Sequence, residues 1–525
     1  MAKHSIEKNS LHRVCVTDMT DLGAGVARID GIVVFVQGGV DGDEAEIKII
    51  KVASDYCVAR IERLLTPSPY RQESGCMVSR RCGGCAYQSI AYAHELELKR
   101  RQVESSFCKE GLNVPVNDVL STGEWSGWRN KVQLPIGADG RIGYYAAHSH
   151  EIIPCLTCPL QLRRFDGIIA AAQEWILAHP SPLYRHLCLR GGSGGVMVCL
   201  VMRKEFAAAQ DFADTLAVRF PEIVSIQLNI NPHDTNVIWG KQFRLLYGQS
   251  DLEDVLLGLR FRIAAPAFYQ VNRAAAELAY RKLGELADIR PGERVVDLYC
   301  GTGTIGLCLT ASAGASHLLG VEIVPEAVEN ARQNALRNGI TNAEFLCGDA
   351  GVISPGEADV VLVDPPRKGL SPQLIDTLAR LSPNRIAYMS CDHRTLARDC
   401  RLFTEKGYLP GSVTPVDLFP RTGHVETVCL LVRRNGMHIN VDVNVDEMLQ
   451  EKRGQATYPQ IKEYVLEQTG MKVSSLYISQ VKRKCGLEVG DSYNKPKSKD
   501  AHVPQCPPDK EKAILDALRH FGMIS

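Results

Sequence analysis

Three polar segments carry the residues best suited to chemistry in this sequence of 525 residues. Each follows a predicted strand, and they occupy 364–369 (DPPRKG), 390–396 (SCDHRTL) and 417–426 (DLFPRTGHVE). The carboxyl ends of strands in α/β sheets are where such proteins bind their ligands. Cys391 stands at a strand-to-helix turn, where the helix N-terminus favours the thiolate, and Arg394 adds positive charge. We therefore expect Cys391 to be a reactive thiolate.

A glycine-rich loop of the form G-x-G-x-x-G lies between a predicted strand and a predicted helix at 301–306. Gly301 and Gly303 let the backbone approach a ligand without a Cβ clash. Glu322 ends the next predicted strand about 20 residues later, where a carboxylate accepts hydrogen bonds from ribose hydroxyls. The pattern predicts a nucleotide cofactor, and it fits a nicotinamide dinucleotide and S-adenosylmethionine equally well.

The cysteines are clustered in a way that indicates metal binding. The chain has 18 of them, too few for its length to be a secreted disulfide scaffold. Cys76, Cys82 and Cys85 form a C-x5-C-x2-C pattern, and the pair Cys155 and Cys158 offers a fourth thiolate. Four thiolates suit an iron–sulfur cluster. The two C-x2-C pairs would equally make a zinc ribbon.

The elements that must position these residues divide the chain into four predicted regions, 8–65, 66–265, 266–434 and 435–525. Short strands separated by Gly and Asp turns predict that the first is a small β-barrel of the OB type. The second is predicted to be a mixed α+β domain that carries the cysteine cluster. Regular strand–helix alternation in the third predicts a doubly wound, mostly parallel α/β sheet. The fourth is predicted to be a small helical extension.

Composition excludes several classes of protein. Hydrophobic residues make up 45% and charged residues 23% of the chain, which is typical of a globular protein rather than a disordered one. No apolar run approaches the ~20 residues that span a bilayer, and the N-terminus lacks the apolar segment of a secretory signal. We therefore expect a cytoplasmic protein with no membrane association. The net charge of zero leaves local basic patches open.

Five motifs resemble, in the same order, those of the RNA 5-methyluridine methyltransferases. They are FYQVN (268–272), DLYCGTG (297–303), DPPRKG (364–369), SCD…TLARD (390–399) and DLFPRTGHVETV (417–428). The resemblance implies an N-terminal TRAM domain, a Rossmann-like class I methyltransferase domain and S-adenosylmethionine as cofactor. It also implies 23S rRNA as the substrate, because the transfer-RNA branch of the family generally lacks the TRAM domain and the cysteine cluster.

The resemblance assigns roles to individual residues. It implies that Cys391 adds to C6 of uracil, which makes C5 a carbon nucleophile, and that Glu426 later removes the C5 proton. It favours a [4Fe–4S] cluster over zinc, with these ligands: Cys76, Cys82, Cys85 and Cys158. The implied cofactor-binding residues are Gln270, Tyr299, Thr304, Glu322, Asp349 and Asp364. Asp364 is placed either to bind the cofactor or to orient uracil.

Two positions depart from the family pattern, since His393 stands where a proline is usual and Thr304 where asparagine is common. RNA contacts are expected from the basic stretch 70–101 and from aromatic residues interleaved with charge: Trp125, Trp128, Arg129 and Lys131. The basic run 482–484 ends a predicted helix, which is typical of either a nucleic-acid module or a solvated helix face. No feature predicts a protein partner.

Two other functions stay open on the residues alone. An NAD-dependent oxidoreductase with an iron–sulfur centre would use the same glycine loop, but it gives no role to Cys391 together with Glu426. A non-catalytic RNA-binding protein on a methyltransferase-like fold would bind RNA and transfer no methyl group.

Overall fold

The structure is a computed structural model of the chain. It describes residues 6–351, 357–434, 458–485, 487, 505–521 and 523–524. The chain forms two compact units, Met1–Met437 and His438–Ser525. No helix in the part of the chain that the structure describes is long and apolar enough to cross a membrane.

The N-terminal strands form a sheet that curls into a small barrel. They are β1 (Leu11–Cys15), β2 (Asp18–Met19), β3 (Ala24–Ile29), β4 (Ile32–Gln37), β5 (Glu44–Val52) and β6 (Tyr56–Thr66). Their order across the sheet is β1-β5-β6-β4-β3-β2. The N–H of Val16 donates to the carbonyl of Asp43 beside β5, and the N–H of Thr17 donates to that of Val26 on β3. The chain after β1 therefore closes the sheet between β5 and β3, and the predicted OB-like barrel is confirmed.

The central region is built on a second sheet. Its elements are α1 (Tyr92–Lys109), β7 (Lys131–Pro135), β8 (Gly143–Tyr145), β9 (Ile152–Pro154), α2 (Arg164–Ala178), β10 (Tyr184–Gly192), β11 (Gly195–Met202), α3 (Ala209–Arg219), β12 (Ile223–Ile230), β13 (Gln242–Gly248), β14 (Asp251–Leu256) and β15 (Leu259–Ala264). The sheet has the order β13-β12-β11-β10-β7. Helices α2 and α3 bury side chains such as Phe165 and Phe212 against one face of it. By contrast, Val103 and Phe107 of α1 pack into the core of the sheet that follows.

The third sheet has helices on both faces. Its elements are α4 (Arg273–Ala287), β16 (Arg294–Leu298), α5 (Thr304–Ala313), β17 (His317–Glu322), α6 (Pro325–Arg337), β18 (Ala343–Cys347), β19 (Val360–Val363), α7 (Pro372–Leu381), β20 (Arg385–Ser390), α8 (His393–Glu405), β21 (Tyr408–Val416) and β22 (Glu426–Arg433). The order is β18-β17-β16-β19-β20-β22-β21, and β22 alone runs opposite to the other six strands of this sheet. Strands covered on both faces are uniformly apolar, as in the VVLV of β19. The predicted doubly wound sheet is confirmed.

The second unit contains α9 (Tyr458–Thr469), α10 (Ser475–Lys484) and α11 (Pro508–His520). These helices share a core of their own that includes Ile461, Ile478 and Ile514. The predicted helical extension is confirmed, although the sequence analysis identified only its first two helices. The start of α11 could have been predicted from the sequence, because Pro508 at the first helical position and acidic residues in the first turn are typical of a helix N-terminus.

A cluster of buried charges joins α1 to the segment that leads into β22. The fully buried ammonium of Lys99 donates to Glu95 at 2.8 Å, to Asp417 at 2.6 Å and to the carbonyl of Phe419 at 3.2 Å. Glu95 also accepts a hydrogen bond from the backbone N–H of Arg421 at 2.7 Å. Charges removed from water need partners inside the protein. These groups therefore fix each other's positions.

The segment that leads into β22 also contacts the cysteine segment and the barrel. The carbonyl of Arg421 accepts hydrogen bonds from the N–H groups of Ala86 and Tyr87, which follow the cysteine segment. A side chain in place of Gly423 would overlap the carbonyl oxygen of Asp21 in the barrel. A glycine is thus required at position 423 by the close approach of two backbones.

Replacing Lys99 with Met should destabilise the protein by about 3–5 kcal/mol, because Asp417 is left buried without its cation and Glu95 is left with the Arg421 guanidinium at 3.4 Å. The free energy of unfolding in a denaturant titration measures this. The matched control is Lys406→Met, which breaks an exposed pair with Asp376 at 2.7 Å and should cost less than about 1 kcal/mol. Equal stabilities of the two variants would contradict the role given to the buried charges.

Candidate active site

Side chains at the carboxyl ends of β19 and β20 converge with the start of β22. Ser390, the last residue of β20, pairs with Thr427 of β22, and the Thr427 hydroxyl donates to the Ser390 carbonyl at 3.1 Å. Cys391 directly follows Ser390 and Glu426 directly precedes Thr427, so the two residues lie at the same end of this strand pair. Asp364 follows β19, the other neighbour of β20. Its charge and that of Glu426 both act on the Cys391 thiol, so the three groups share one site.

Burial gives the two carboxyl groups of this site unusual acid–base properties. Glu426 is 3% exposed, and its Oε2 has no hydrogen-bond partner among the described residues. Burial and then the neighbouring Asp364 raise the pKa of Glu426 well above its usual range. Burial raises the pKa of Asp364 to about 7. Two carboxyls that interact in this way titrate as a pair, and one of them keeps its proton at neutral pH.

The thiol of Cys391 is not the thiolate that the sequence analysis expected. Burial, together with the two neighbouring carboxyls, raises the pKa of Cys391 to about 11, while the guanidinium of Arg367 lowers it. Arg394, the cation expected beside it, is held by Asp392 through hydrogen bonds of 3.0 Å. The prediction of a lowered pKa is wrong for this site, because burial beside two carboxyls outweighs the helix N-terminus.

The glycine loop after β16 has the backbone of a ligand-binding turn. Tyr299, Gly301 and Gly303 have φ angles of 63°, 55° and 79°, a region in which a residue with a Cβ such as tyrosine is strained. The carboxylate of Glu322 accepts N–H groups from Gly301 at 3.1 Å and from Val324 at 2.9 Å. Each carboxylate oxygen keeps a lone pair free for a ligand hydroxyl.

A buried tyrosine connects three of the predicted cofactor residues. The hydroxyl of Tyr280, on α4, lies 3.3 Å from Oγ1 of Thr304, and it interacts with Gln270 and Asp364. The backbone carbonyl of Gln270 is held by the Asn130 side chain at 3.0 Å. The sequence analysis missed Tyr280 because its spacing on α4 is that of an ordinary core residue.

Two aspartates lie around the glycine loop. Asp297, which the sequence analysis passed over, accepts the N–H of Gly306 at 2.9 Å, and burial raises its pKa to about 8. Asp349 is exposed and accepts the N–H of Gly351 at 2.8 Å. Burial and then the Asp349 carboxylate raise the pKa of Tyr299, so Asp349 faces this loop.

The position and contacts of His393 explain why the fold accepts histidine where the family usually has proline. It is the first residue of α8, a position at which helices accept proline. Its Nδ1 and the hydroxyl of Ser106 on α1 are hydrogen-bonded at 2.8 Å. Burial lowers the pKa of His393 to about 4. The ring is therefore neutral at neutral pH and joins α8 to α1.

Four cysteine side chains line one cavity of about 130 Å³: Cys76, Cys82, Cys85 and Cys158. Cys155 is not among the lining residues, and its thiol donates to the carbonyl of Thr157 at 3.0 Å. Within the described ranges, no three Cys, His, Asp or Glu side chains converge closely enough to hold a single metal ion. Four thiols that line one cavity match the donor set of an iron–sulfur cluster, and the cluster itself stays a prediction.

The aromatic residues near the site differ in exposure. Trp128 is 7% exposed and packs edge-on against Phe419 at 6.4 Å, so its ring belongs to the core. Trp125 lies against the guanidinium of Arg421 at 4.4 Å. Phe268, in the first family motif, is 75% exposed. The sequence analysis named both tryptophans for RNA contacts and did not name Phe268, since a motif does not reveal exposure.

Comparison with known proteins identifies the family. One family described as a methyltransferase domain matches residues 289–410, and another described as a TRAM domain matches residues 7–61. An uncharacterized RNA methyltransferase of Bacillus cereus is 39% identical over 451 residues, which cover 82% of this chain and 98% of that relative. This chain belongs to the RNA methyltransferases.

Further comparisons agree with this assignment. A Clostridium tetani protein, also named an uncharacterized RNA methyltransferase, is 38% identical over 448 residues, 81% of this chain and 97% of its own. Among solved structures, the Pyrococcus abyssi tRNA (uracil-54, C5)-methyltransferase in complex with S-adenosyl-L-homocysteine matches with a TM-score of 0.66 and 27% identity. The match covers 80% of this chain and 100% of that one. The TRAM domain and the methyltransferase fold of the predicted family are confirmed; the S-adenosylmethionine cofactor and the roles of individual residues stay predictions.

Alkylation of the Cys391 thiol in the RNA methyltransferase should be slow at neutral pH and rise steeply above it. A pKa of about 11 leaves roughly one thiol in ten thousand ionised near pH 7, and that fraction rises about tenfold per pH unit. Mass spectrometry of the Cys391 peptide after iodoacetamide treatment measures the rate. Glu426→Gln removes a carboxyl whose ionised form raises this pKa, so it should speed alkylation at alkaline pH, whereas Glu405→Gln, on the surface of α8, should not. A rate that is already level above about pH 7 would show the lowered pKa that the sequence suggested.

Proposed function

We propose that this RNA methyltransferase transfers a methyl group to C5 of uridine in 23S rRNA, with Cys391 as nucleophile and Glu426 as base. The observation that carries the proposal is that the two residues lie at one end of the β20–β22 pair, since Cys391 follows Ser390 and Glu426 precedes its partner Thr427, and that the Glu426 charge acts on the Cys391 thiol. The reaction needs one group that bonds to carbon and a second that takes a proton from the adjacent carbon. The unpaired Oε2 of buried Glu426 supports the second role, because such an atom is costly unless it has a function.

The chemistry starts with the loss of the Cys391 proton to Asp364, whose pKa of about 7 suits a general base. The thiolate sulfur bonds to C6 of uracil, and the C5–C6 π electrons move toward the C4 carbonyl to form an enolate. S-adenosylmethionine supplies a methyl group activated by its sulfonium. After C5 has gained the methyl group and Glu426 has released its own proton to solvent, the Glu426 carboxylate accepts the C5 proton. The electron pair of that C–H bond restores C5=C6 as the C6–S bond breaks.

Arg367 assists both ionised groups in turn. Its positive charge lowers the pKa of the Cys391 thiol and of the Glu426 carboxyl, against the larger effect of burial. The thiolate is thereby favoured before the addition and the carboxylate before the proton removal. Burial acts in the other direction and raises the pKa of Glu426. This makes its carboxylate a stronger base once it is ionised.

The methyl donor is held at the glycine loop. Position 301 has open space where a Cβ would stand, and the free lone pairs of Glu322 suit the two ribose hydroxyls. In this proposal, Asp349 recognises the adenine. The remaining binding residues of the proposal are Gln270, Tyr299, Thr304 and Asp364.

The substrate assignment rests on the TRAM domain together with the cysteine cluster. The solved relative from Pyrococcus abyssi is a tRNA (uracil-54, C5)-methyltransferase, which makes transfer RNA the competing substrate for the same chemistry. Membership of the RNA methyltransferases removes the support for an NAD-dependent oxidoreductase. The pairing of Cys391 with Glu426 argues against a non-catalytic RNA-binding protein. Ribosomal RNA as substrate implies a cytoplasmic enzyme.

Four cysteines hold a [4Fe–4S] cluster in this proposal: Cys76, Cys82, Cys85 and Cys158. Gln88 donates a hydrogen bond to the Cys85 sulfur at 3.4 Å, a contact that suits a ligand thiolate. Methyl transfer moves no net electrons, so the cluster has a structural role. It fixes the segment that ends at Ala86, whose N–H donates to the carbonyl of Arg421 at 3.0 Å.

The two proposed catalytic residues should fail in different ways. Cys391→Ala cannot bond to C6, so it should bind RNA yet form no covalent species. Glu426→Gln should add to uracil and methylate C5, but it should then stall, because the C5 proton stays on and the sulfur cannot leave. Turnover should fall about 10²–10⁴-fold. A denaturing gel with methyl-labelled cofactor measures the adduct as a slow, labelled band.

Controls for this experiment are Cys108→Ala, which removes an exposed thiol on α1, and Glu405→Gln, which changes an exposed carboxylate on α8. Both should turn over like the wild type. Wild-type turnover by Glu426→Gln with no adduct would rule out Glu426 as the base. His424, whose Nε2 lies 3.3 Å from the Arg367 guanidinium, is then the next residue to test.

The protein purified without oxygen should be brown and contain iron and sulfide. Cys158→Ser should lose the cluster, because Cys158 lines the cavity. Cys155→Ser is the matched control and should keep it, since that thiol donates to the Thr157 carbonyl instead. Absorbance and metal analysis make the measurement. Colourless protein with stoichiometric zinc, or loss of the cluster from Cys155→Ser alone, would contradict the assignment.

A further inference from the structure

The second unit of the chain has the arrangement of a helix-turn-helix with a third supporting helix. Helix α9 ends at a turn that begins with Gly470, whose φ is 68°, and Ser474 caps α10 by accepting the N–H of Tyr477 at 3.3 Å. Val473 and Ile478 are buried in the core of the unit. The core anchors the inner side of α10 and leaves its outer side to solvent.

The outer side of α10 and its preceding turn carry positive charge without compensation. Between Gly470 and the end of α10 there is no acidic residue. Lys484 is paired with Glu511 at 2.7 Å. Lys472 and Arg483 are exposed, and neither forms an ion pair with another described residue.

The outer side of α11 is different. The helix carries three basic and three acidic residues, and one of the basic residues, Arg519, is paired with Asp516 at 3.1 Å. Net positive charge is therefore concentrated on α10 and its preceding turn, which is the electrostatic pattern of a surface that binds a polyanion.

We propose that α10 and its preceding turn bind the minor-groove side of an RNA duplex through the sugar–phosphate backbone. A-form RNA has a major groove too deep and narrow for side chains to enter, and a wide, shallow minor groove bordered by phosphates and 2′-hydroxyls. The part of α10 from Ser475 to Arg483 rises about 12 Å at 1.5 Å per residue, and Lys472 lies in the turn before it, so each cation can reach a different phosphate.

The side chains between these two cations fit the same partner. The exposed hydroxyl of Ser475 can exchange hydrogen bonds with a 2′-hydroxyl, and Leu476, 40% exposed, adds apolar contact. RNA is the partner because the chain is an RNA methyltransferase. The inference does not depend on which base the enzyme methylates or on Cys391, so it goes beyond the proposed function and can be tested separately from it.

The test measures the affinity of the full chain for a blunt RNA duplex of about 20 base pairs by fluorescence anisotropy over a range of salt concentrations. The double variant Lys472→Glu, Arg483→Glu should bind about tenfold more weakly at low salt. The slope of log affinity against log salt should fall by about 2, roughly one per lost phosphate contact. A neutral pair, Lys472→Gln and Arg483→Gln, should lower the slope equally and guards against misfolding caused by charge reversal.

The matched control is Lys512→Glu, Arg519→Glu, which makes the same charge change on the outer side of α11 and should alter affinity less than about twofold. A DNA duplex of the same sequence should bind the wild type more weakly, because it lacks the 2′-hydroxyls. Wild-type affinity in both α10 variants, an equal loss in the α11 control, or equal binding of DNA and RNA would each overturn the proposal. Methyl transfer to a short single-stranded RNA should be unchanged by all of these variants.

Discussion

The burial of one lysine ammonium is the constraint on which the rest of the site depends. Lys99 is surrounded by Glu95, Asp417 and the carbonyl of Phe419. Displacing the ammonium would leave Asp417 buried without its cation in a low-dielectric environment. Because Asp417 and Phe419 belong to the segment that leads into β22, the ammonium holds that segment to α1. The position of Glu426 at the start of β22 follows from this arrangement.

The same principle, that burial makes charge expensive, gives the site its chemistry. A thiol and two carboxyls from three separate strands are enclosed together; burial raises the pKa of all three, both carboxyls raise the pKa of the thiol further, and Asp364 does the same to Glu426. In water all three would have ordinary acidities, and neither carboxyl would be a useful base near pH 7. Enclosing them beside a single guanidinium, that of Arg367, gives groups that can each gain or lose a proton during one reaction cycle. The buried neighbours of the glycine loop, Tyr280 and Asp297, belong to the same polar interior.

The sequence predicted what depends on local pattern. Apolar runs such as VVLV in β19 indicated the parallel sheet, and the motifs indicated which strand ends carry Cys391, Asp364 and Glu426. What it could not predict depends on contacts between distant segments. The pKa of Cys391 is raised by burial and by two carboxyls, those of Glu426 and Asp364, which lie 35 and 27 positions away along the chain. Likewise, helical spacing did not reveal that Tyr280 faces the cofactor residues, or that Val103 of α1 packs in the core of the third sheet.

Methylation at C5 of uracil in 23S rRNA must displace the hydrogen on that carbon. The fate of the C5 hydrogen is therefore the most informative measurement. Transcripts of 23S rRNA and of transfer RNA would be made with tritium at C5 of every uracil and incubated with the enzyme and unlabelled S-adenosylmethionine. We expect the 23S rRNA transcript to release tritium to water in a one-to-one ratio with the methyl groups transferred. Methyl transfer without tritium release would place the methyl group on another atom and contradict the account. Release from transfer RNA alone would contradict the substrate.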